Sequence, residues 1–372
     1  MRILVLNYEY PPLGGGGSYV SHEIAKGYVR QGHAVDVVTM GLKGLPSYEN
    51  IDGVSVYRVP SGRKKYEISH LREQLYYLWS AYFKIKSLRH QRQWDVCHCH
   101  FLVPTGILAV IIKKLFHIPY IITAHGSDVP GHNTERFTLL HKLTPRLIKG
   151  ILRNALHVTV PSSYLKKLIQ KNISGTREIP IMVIPNGSSS LHDTSIQKER
   201  IILSVGRMLP FKGFQYIIEA FQNLHASDWR LVLVGDGPYK KELEAQSAGN
   251  TNIQFTGWIN KNDPQFARLY NAASIFMLLS RQESQGIVLV EAMSTGCAII
   301  ASDAPAIRET LGQNNSLIIS PDVAATTKAL RLLIENQSQR EFFSSQSQKR
   351  FKDFTWDAIL SKYMHLITSA HE

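Results

Sequence analysis

Two carboxylates frame the stretch ESQGIVLVE, in which Glu283 and Glu291 stand eight positions apart around an apolar core. Paired carboxylates often do acid/base chemistry, one donating a proton while the other accepts one. From the spacing alone, three interpretations are open. The two residues are a catalytic pair, two ligand-binding groups, or the start of a helix with one solvated charge.

Two cations stand five positions apart in SVGRMLPFKGF, where Arg207 and Lys212 surround a turn just after a predicted strand. Cations in such a place can clamp a diphosphate and neutralise the charge on a leaving group without a metal ion. The alternative is a pair of solvated surface charges. The end of the strand and Gly213, which opens the next helix, favour the clamp.

Glycine-rich turns follow several predicted strands. PPLGGGG places Gly15 and Gly16 before the first helix, where the backbone can approach an anion, although a flexible turn would look the same. This stretch does not fit the dinucleotide fingerprint, because its glycines come late and no acidic partner follows. VGDGP contributes Gly235 and FTGWI contributes Gly257. Either turn could line a nucleotide-base pocket, although each also resembles an ordinary strand-to-helix connection.

HGSD, residues 125–128, also ends a predicted strand, YIITAHG. A lone histidine is more often structural than catalytic. His125 is favoured for a functional role because parallel strands present their ligands at this end.

The elements that must position these residues alternate between strands and helices, and the pattern occurs twice. We predict an α/β protein with two tandem Rossmann-like, doubly wound parallel-sheet domains, residues 1–190 and 191–354. A polar stretch over residues 186–199 reads as the linker, and a tail helix at about 355–372 is expected to pack back on the first domain. The default ligand site of this architecture is the cleft between the domains.

The net charge of +13 is confined to the first half, where residues 1–190 carry 24 Lys and Arg against 11 Asp and Glu. That asymmetry predicts a polyanionic partner such as an anionic membrane or a phosphate-bearing substrate. Three cysteines are too few for a disulfide framework and fit a reducing cytoplasm. Because no secretory signal and no membrane span is visible, we expect a cytoplasmic protein.

Two segments account for the basic half. GRKKYEISHLREQLYYLWSAYFKIKSLRHQRQW interleaves basic and aromatic residues, and RFTLLHKLTPRLIKGILRNA carries one basic stripe. Helices of this kind suit contact with anionic lipid headgroups at the inner face of the cell membrane, although a solvated face over a core is equally compatible. Nucleic acid is disfavoured, since no recognition module is present. The basic stripe consists of Lys142, Arg146, Lys149 and Arg153.

WDVCHCHF raises the question of a metal site, since Cys97, His98, Cys99 and His100 are adjacent. Neighbouring residues on a strand face opposite sides, so the two cysteines and the two histidines cannot converge. A buried strand is the better interpretation, and no metal is expected.

Taken in order, these motifs resemble those of the retaining glycosyltransferases of family 4, which have the GT-B fold. The resemblance runs from the N-terminal glycines to the tail. It rests on GGGG, HGSD, the PNG at residues 185–187, SVGRMLPFKGF, VGDGP, FTGW and the E-x7-E stretch followed by EAMSTGCAIIASD.

The resemblance implies a nucleotide-diphosphate sugar as donor, held mainly by the second domain. On the matching positions, Arg207 and Lys212 would bind the diphosphate, Glu291 the ribose and Glu283 the hydroxyls of the donor sugar. The remaining donor-binding positions would be Gly15, Gly16, Gly206, Gly235, Gly257, Trp258, Gln285, Gly286, Ile287 and Val288.

The acceptor would be held mainly by the first domain, with His125 beside the transferred sugar and Asp128 on the acceptor side. Retention in such enzymes is attributed to attack on the face that the leaving group vacates. No protein carboxylate serves as a nucleophile, and a donor phosphate oxygen takes the acceptor proton. The expected acceptor is a lipid-linked glycan or another glycan of a surface polysaccharide or glycolipid.

Gln285 departs from the family, whose members often have Phe before the glycine of this stretch. A polar side chain there could meet a sugar hydroxyl, so the donor sugar is open. A UDP-sugar is our first expectation and GDP-mannose the second. Two alternatives stay open: a nucleotide-sugar 2-epimerase on the same fold, and an inactive nucleotide-sugar-binding subunit.

Overall fold

The computed structural model describes residues 1–66, 68–132 and 144–368. It divides the chain into two compact units, of which the first comprises residues 1–186 and 356–372 and the second residues 187–355. The second unit therefore begins inside the polar stretch at residues 186–199. That stretch is bonded to the second unit, because the Leu191 amide donates to Ser294 Oγ and the Asp193 amide to Asn271 Oδ1.

The first unit is built on an eight-stranded sheet with the order β3-β4-β2-β1-β5-β6-β7-β8. Its pairs are parallel except for β3 and β4, which form an antiparallel pair at one edge. The sequence analysis predicted neither this edge strand nor β8. The strands are β1 Arg2–Leu6, β2 Ala34–Leu42, β3 Tyr48–Ile51, β4 Val54–Arg63, β5 Val96–His100, β6 Tyr120–Thr123, β7 His157–Val160 and β8 Ile181–Val183.

Helices cover the sheet and connect its strands, except along β2, β3 and β4, which follow one another directly. Strands such as β1, RILVL, are apolar without alternation because both of their faces are buried, as in other parallel sheets. The connecting helices are α1 Gly16–Arg30, α2 Leu71–Arg89, α3 Thr105–Phe116, α4 Pro145–Asn154 and α5 Ser163–Asn172.

The second unit holds a six-stranded, wholly parallel sheet with the order β11-β10-β9-β12-β13-β14. Separate apolar clusters lie on its two faces, one containing Phe276 and the other Ile275, neighbours that point to opposite sides. The short edge strand β14 was not predicted. The strands are β9 Glu199–Val205, β10 Arg230–Val234, β11 Ile253–Gly257, β12 Ala273–Leu278, β13 Ala298–Ser302 and β14 Leu317–Ile319.

The helices of the second unit alternate with its strands, as a doubly wound sheet requires. A short 3₁₀ turn, Pro210–Lys212, precedes the first of them. The helices are α6 Phe214–Leu224, α7 Lys240–Gln246, α8 Pro264–Ala272, α9 Ile287–Ser294, α10 Pro305–Leu311, α11 Val323–Glu335 and α12 Gln337–Phe351. The predicted fold class, two α/β parallel-sheet units, is confirmed.

The last helix, α13 Trp356–Thr368, belongs to the first unit. It crosses α1 where Gly27 leaves room for Leu360, since a Cβ on Gly27 would lie 2.3 Å from a Leu360 methyl carbon. On the same helix, the ring centroid of Tyr363 lies 5.4 Å from that of His98 in β5.

Candidate functional site

A row of glycines occupies the carboxyl ends of three neighbouring strands in the second unit. The Gly206 amide donates to the Val234 carbonyl at 3.0 Å, and the Gly235 amide donates to the Gly257 carbonyl at 2.8 Å. A Cβ on Gly235 would lie 1.9 Å from the Gly206 carbonyl oxygen, so only glycine fits there. The structure thus brings together three of the predicted donor-binding glycines, and the indole of Trp258 beside them is exposed.

The predicted diphosphate-binding lysine contacts the predicted sugar-binding glutamate. Lys212 Nζ, at the end of the 3₁₀ turn, donates to Glu283 Oε1 at 2.5 Å, and both side chains are mostly buried. The turn is fixed because the Arg281 amide donates to the Phe211 carbonyl at 2.9 Å. Arg207, at the other side of the turn, is exposed. A cation and a carboxylate are therefore held at one point of the second unit.

Helix α9 begins four residues after Glu283. Gly286 precedes its first turn in a left-handed conformation, with φ of 85°, and Ile287 and Val288 form that turn. The N–H groups of a first helical turn lack intrahelical acceptors and favour anions. Gln285 is buried, 1 % exposed, and its carbonyl accepts from Thr310 Oγ1 at 2.8 Å. Its predicted contact with a sugar hydroxyl stays a prediction.

Glu291 lies inside α9 and is 1 % exposed. Tyr270 Oη donates to its Oε2 at 2.9 Å, and Lys261 forms an ion pair with its Oε1. Burial, and then the Glu291 charge, raises the pKa of Tyr270 well above its usual value, so the phenol stays a donor. The sequence analysis missed Tyr270 and Lys261. Only the position of Lys261, shortly after FTGW, could have indicated it.

In the first unit, His125 follows β6 and contacts His100 of β5. His125 Nε2 lies 3.0 Å from His100 Nδ1, the two rings stack, and Phe101 packs on His125 at 4.6 Å between centroids. Burial lowers the pKa of His125 to about 3, so the imidazole is neutral at physiological pH. The sequence analysis missed His100, treating it only as part of a buried strand.

Asp128 organises the turn that carries His125. Its Oδ1 accepts from the amides of His125 and Gly126 at 3.0 and 2.9 Å, and its Oδ2 accepts from the Leu102 amide at 2.7 Å. These N–H donors favour the charged carboxylate, but burial outweighs them and raises the pKa of Asp128. Asp128, which was predicted to lie on the acceptor side, therefore also has a structural role.

The glycine-rich turn leads into α1. Gly15 is the N-cap and Gly16 the first helical residue, and a Cβ on either would meet no atom within 4 Å. Gly17 differs, since a Cβ there would lie 2.7 Å from Phe101 Cζ and 3.2 Å from His125 Cγ. The structure therefore places the helix N-terminus against His125, a contact that the sequence analysis did not predict.

Two family models match the chain. Residues 14–188 match the family described as Glycosyltransferase Family 4, and residues 192–350 match Glycosyl transferases group 1. The chain is a group 1, family 4 glycosyltransferase. The resemblance inferred from the ordered motifs is thus confirmed.

This glycosyltransferase is similar along its whole length to other proteins. It is 26% identical to an uncharacterized glycosyltransferase of Methanocaldococcus jannaschii, over 100% of the chain and 99% of that protein. It is 25% identical to the alpha-monoglucosyldiacylglycerol synthase of Streptococcus pneumoniae, over 97% of the chain and 87% of that protein. The structure of Anabaena HepE in complex with UDP-glucose superposes with a TM-score of 0.78 at 19% identity, covering 99% of this chain and 100% of that one. These likenesses confirm the GT-B fold.

Strand β5 of the glycosyltransferase is buried throughout, as predicted. Cys97 and Cys99 face the apolar core, whereas His98 bonds to Tyr28 and Thr123 on the other face. Within the described residues, no group of three or more His, Cys, Asp or Glu side chains is placed to hold a metal ion.

The predicted basic stripe of the glycosyltransferase is described in part, because Lys142 lies outside the described residues. On α4, Arg146 and Arg153 are exposed and Lys149 is half-buried. The buried face consists of Ile148, Ile151 and Leu152, whereas Leu147 is exposed. None of the helices within the described ranges combines the length and the apolar character needed to cross a bilayer.

Proposed function

We propose that this glycosyltransferase is a retaining, metal-independent hexosyltransferase. It moves a hexose or an N-acetylhexosamine from a nucleotide-diphosphate sugar to a lipid-linked or glycan acceptor in surface polysaccharide or glycolipid synthesis. The observation that carries the proposal is the contact of Lys212 with Glu283, four residues before the N-terminus of α9. This arrangement offers a cation and helix amides to a diphosphate, and a carboxylate to sugar hydroxyls.

In the proposed reaction the acceptor hydroxyl oxygen forms a bond to the anomeric carbon on the face that the diphosphate leaves. The bond from that carbon to the phosphate oxygen breaks, and its electron pair stays on the phosphate, which takes the acceptor proton. Charge accumulates on the leaving diphosphate, so Lys212, Arg207 and the α9 amides stabilise the transition state. Neutral His125 offers a hydrogen bond to the sugar without adding a charge.

A UDP-sugar is the first candidate for the donor, and GDP-mannose is the second. The Anabaena structure holds UDP-glucose, and the pneumococcal relative is named for glucosyl transfer to a diacylglycerol. Both names support a UDP-hexose and a lipid acceptor for this chain.

The decisive experiment supplies UDP-glucose, UDP-N-acetylglucosamine and GDP-mannose with a membrane-lipid extract, and determines the product's anomeric configuration by NMR. We expect one donor to be consumed and its configuration kept, with and without EDTA. Inversion would contradict the retaining mechanism, and loss of activity in EDTA would contradict metal independence. An epimer formed without acceptor would make the protein a 2-epimerase. Binding of a donor that is never consumed would make it an inactive nucleotide-sugar-binding subunit.

We also propose that the enzyme works at the cytoplasmic face of an anionic membrane, which it contacts peripherally. The exposed arginines of α4 and the charge surplus of residues 1–190 support this. Binding to vesicles should rise with their anionic lipid content and fall with salt. If Arg146→Ala/Arg153→Ala leaves vesicle binding unchanged, α4 is an ordinary solvated helix.

A further inference from the structure

A basic cavity lies at the amino ends of β5 and β6. It has a volume of about 470 Å³, within the range of roughly 300–1,000 Å³ typical of small-ligand sites. Trp94, two residues before β5, and Ile118, two residues before β6, help to line it. His125 follows the carboxyl end of β6. The cavity and His125 therefore lie at opposite ends of the strands of the first sheet.

The ionisable side chains that line this cavity are the cations Lys86, Arg89 and Arg92 and the imidazole of His90. Within the described part of the chain, only Arg92 among them forms an ion pair, with buried Asp36. Asp36 also accepts from Arg2 at 3.2 Å and from the Trp94 indole at 2.9 Å, so its charge is already shared. The neighbouring Asp95 accepts from the Arg2 amide at 2.6 Å. Positive charge therefore dominates the cavity.

The geometry suits a phosphate group. The Arg89 guanidinium lies 4.8 Å from the ring centroid of Phe116, a cation–π contact that orients it. The exposed Lys86 stands one helical turn away on α2. A planar guanidinium beside an ammonium group is the combination that proteins use for phosphate oxygens.

Helix α2 also presents an exposed apolar stripe. Its members recur every four residues and so share one face: Leu71, Leu75, Trp79 and Phe83. Trp79 is 62 % exposed, and its ring contacts Phe83 edge-on at 4.9 Å. Lys86 stands seven residues after Trp79, two helical turns further on, so its ammonium group continues the same face. Apolar and aromatic side chains followed by cations are the pattern of a helix at the lipid interface.

We propose that this cavity is a phosphate-binding site, and that its occupant is the headgroup phosphate of an anionic phospholipid on which the apolar stripe of α2 rests. The lipid source of that phosphate rests on the membrane contact proposed above, whereas phosphate binding itself does not. None of the tests below measures glycosyl transfer, so their failure is distinct from failure of the proposed reaction.

The test compares Lys86→Ala/Arg89→Ala with the control Lys167→Ala/Lys171→Ala, which removes two cations from α5 of the same unit. Partition is measured onto vesicles of phosphatidylcholine, with and without phosphatidylglycerol. The cavity variant should lose roughly 30-fold in partition onto the anionic vesicles, from about 1 kcal/mol per cation. The control should lose much less. Because Lys86 and Arg89 are exposed, both variants should fold, which circular dichroism checks.

A second arm separates the sources of phosphate. Inorganic phosphate should raise the melting temperature of the wild type and of the control by more than that of the cavity variant, which keeps only the proposed diphosphate-binding groups of the second unit. Trp79→Ser/Phe83→Ser should weaken binding to both kinds of vesicle while leaving the phosphate effect intact. Phosphate could stabilise the wild type more than the cavity variant while both bind vesicles equally well. In that case the phosphate site stands and its lipid source is overturned. If the cavity variant matches the control in both assays, the proposal is overturned entirely.

Discussion

Lys212 and Glu283 form an ion pair, with Nζ at 2.5 Å from Oε1, although the resemblance to family 4 assigns them to different parts of the donor. Each side chain is mostly buried, so each needs the other's charge when no donor is bound. A donor whose phosphate approaches Lys212 and whose sugar approaches Glu283 would replace this contact with two others. The pair therefore holds both side chains in place.

The first prediction concerns this pair. Lys212→Met should lower kcat by roughly 10²–10³-fold if Lys212 stabilises the leaving diphosphate as proposed. Glu283→Gln should lower it too. The double variant should lose less than the two losses combined, since the side chains share one contact. Steady-state kinetics with UDP-glucose would measure all three.

The matched control is Arg200→Met, which breaks the exposed ion pair of Arg200 with Asp228 in the same unit. Exposed pairs contribute only about 0–1 kcal/mol to stability, so this variant should transfer at the wild-type rate. If Lys212→Met is as active as Arg200→Met, Lys212 has no place in the site.

The second prediction separates two adjacent glycines. Gly17→Ala should lower the free energy of unfolding by about 1–3 kcal/mol, because its Cβ would clash with Phe101 and crowd His125. Gly16→Ala should leave stability equal or higher, since no atom opposes its Cβ and alanine favours the helix. Its KM for the donor should rise if the diphosphate approaches Gly16. Equal losses of stability would contradict the packing, and an unchanged KM would remove Gly16 from the site.

The glycines and histidines show how far the sequence could predict this protein. Apolar runs and turn residues predicted both sheets, because buried parallel strands leave a strong local signal. The edge strands β3, β8 and β14 carry a weak signal, being short and only partly buried. The contacts of His100 with His125 and of Tyr270 with Glu291 join residues far apart in the chain, so no local pattern predicted them.

The third prediction concerns pH. Burial lowers the pKa of His98 and of His125 to about 3 and that of His100 well below its usual value. Below pH of about 6.5 the unfolded chain binds protons that these folded-state imidazoles do not. Stability should therefore be complete above about pH 6.5 and should fall as the pH is lowered, by up to about 1.4 kcal/mol per pH unit for each histidine.

Chemical unfolding between about pH 6.5 and 5 would measure this dependence before most carboxylates titrate. The other titratable groups that contact His98, His100 and His125 are Tyr28, Tyr363 and Asp128. His100→Asn should lower the slope of the unfolding free energy against pH by the contribution of one histidine. His192→Asn, an exposed control, should leave that slope unchanged. An unfolding free energy that does not vary between about pH 6.5 and 5 would contradict neutral imidazoles at these three histidines.

The fourth prediction concerns Glu291, which Tyr270 and Lys261 hold in place. If its carboxylate binds the ribose, Glu291→Gln should weaken UDP binding by roughly 10- to 150-fold, the range of about 1.5–3 kcal/mol for a charged hydrogen bond. Tyr270→Phe should instead lower stability, because it removes a buried donor from the carboxylate. Calorimetric titration with UDP and chemical unfolding would separate the two effects.

The ribose assignment has a sharper test in the ligand itself. If Glu291 accepts from the ribose hydroxyls, the wild type should bind UDP more tightly than 2′-deoxy-UDP. In Glu291→Gln the two ligands should bind almost equally, since the partner of the missing hydroxyl is weakened in both complexes. If the variant kept the full preference for UDP, the hydroxyl would have another partner. Glu291 would then act only through Tyr270 and Lys261, as a structural carboxylate of α9.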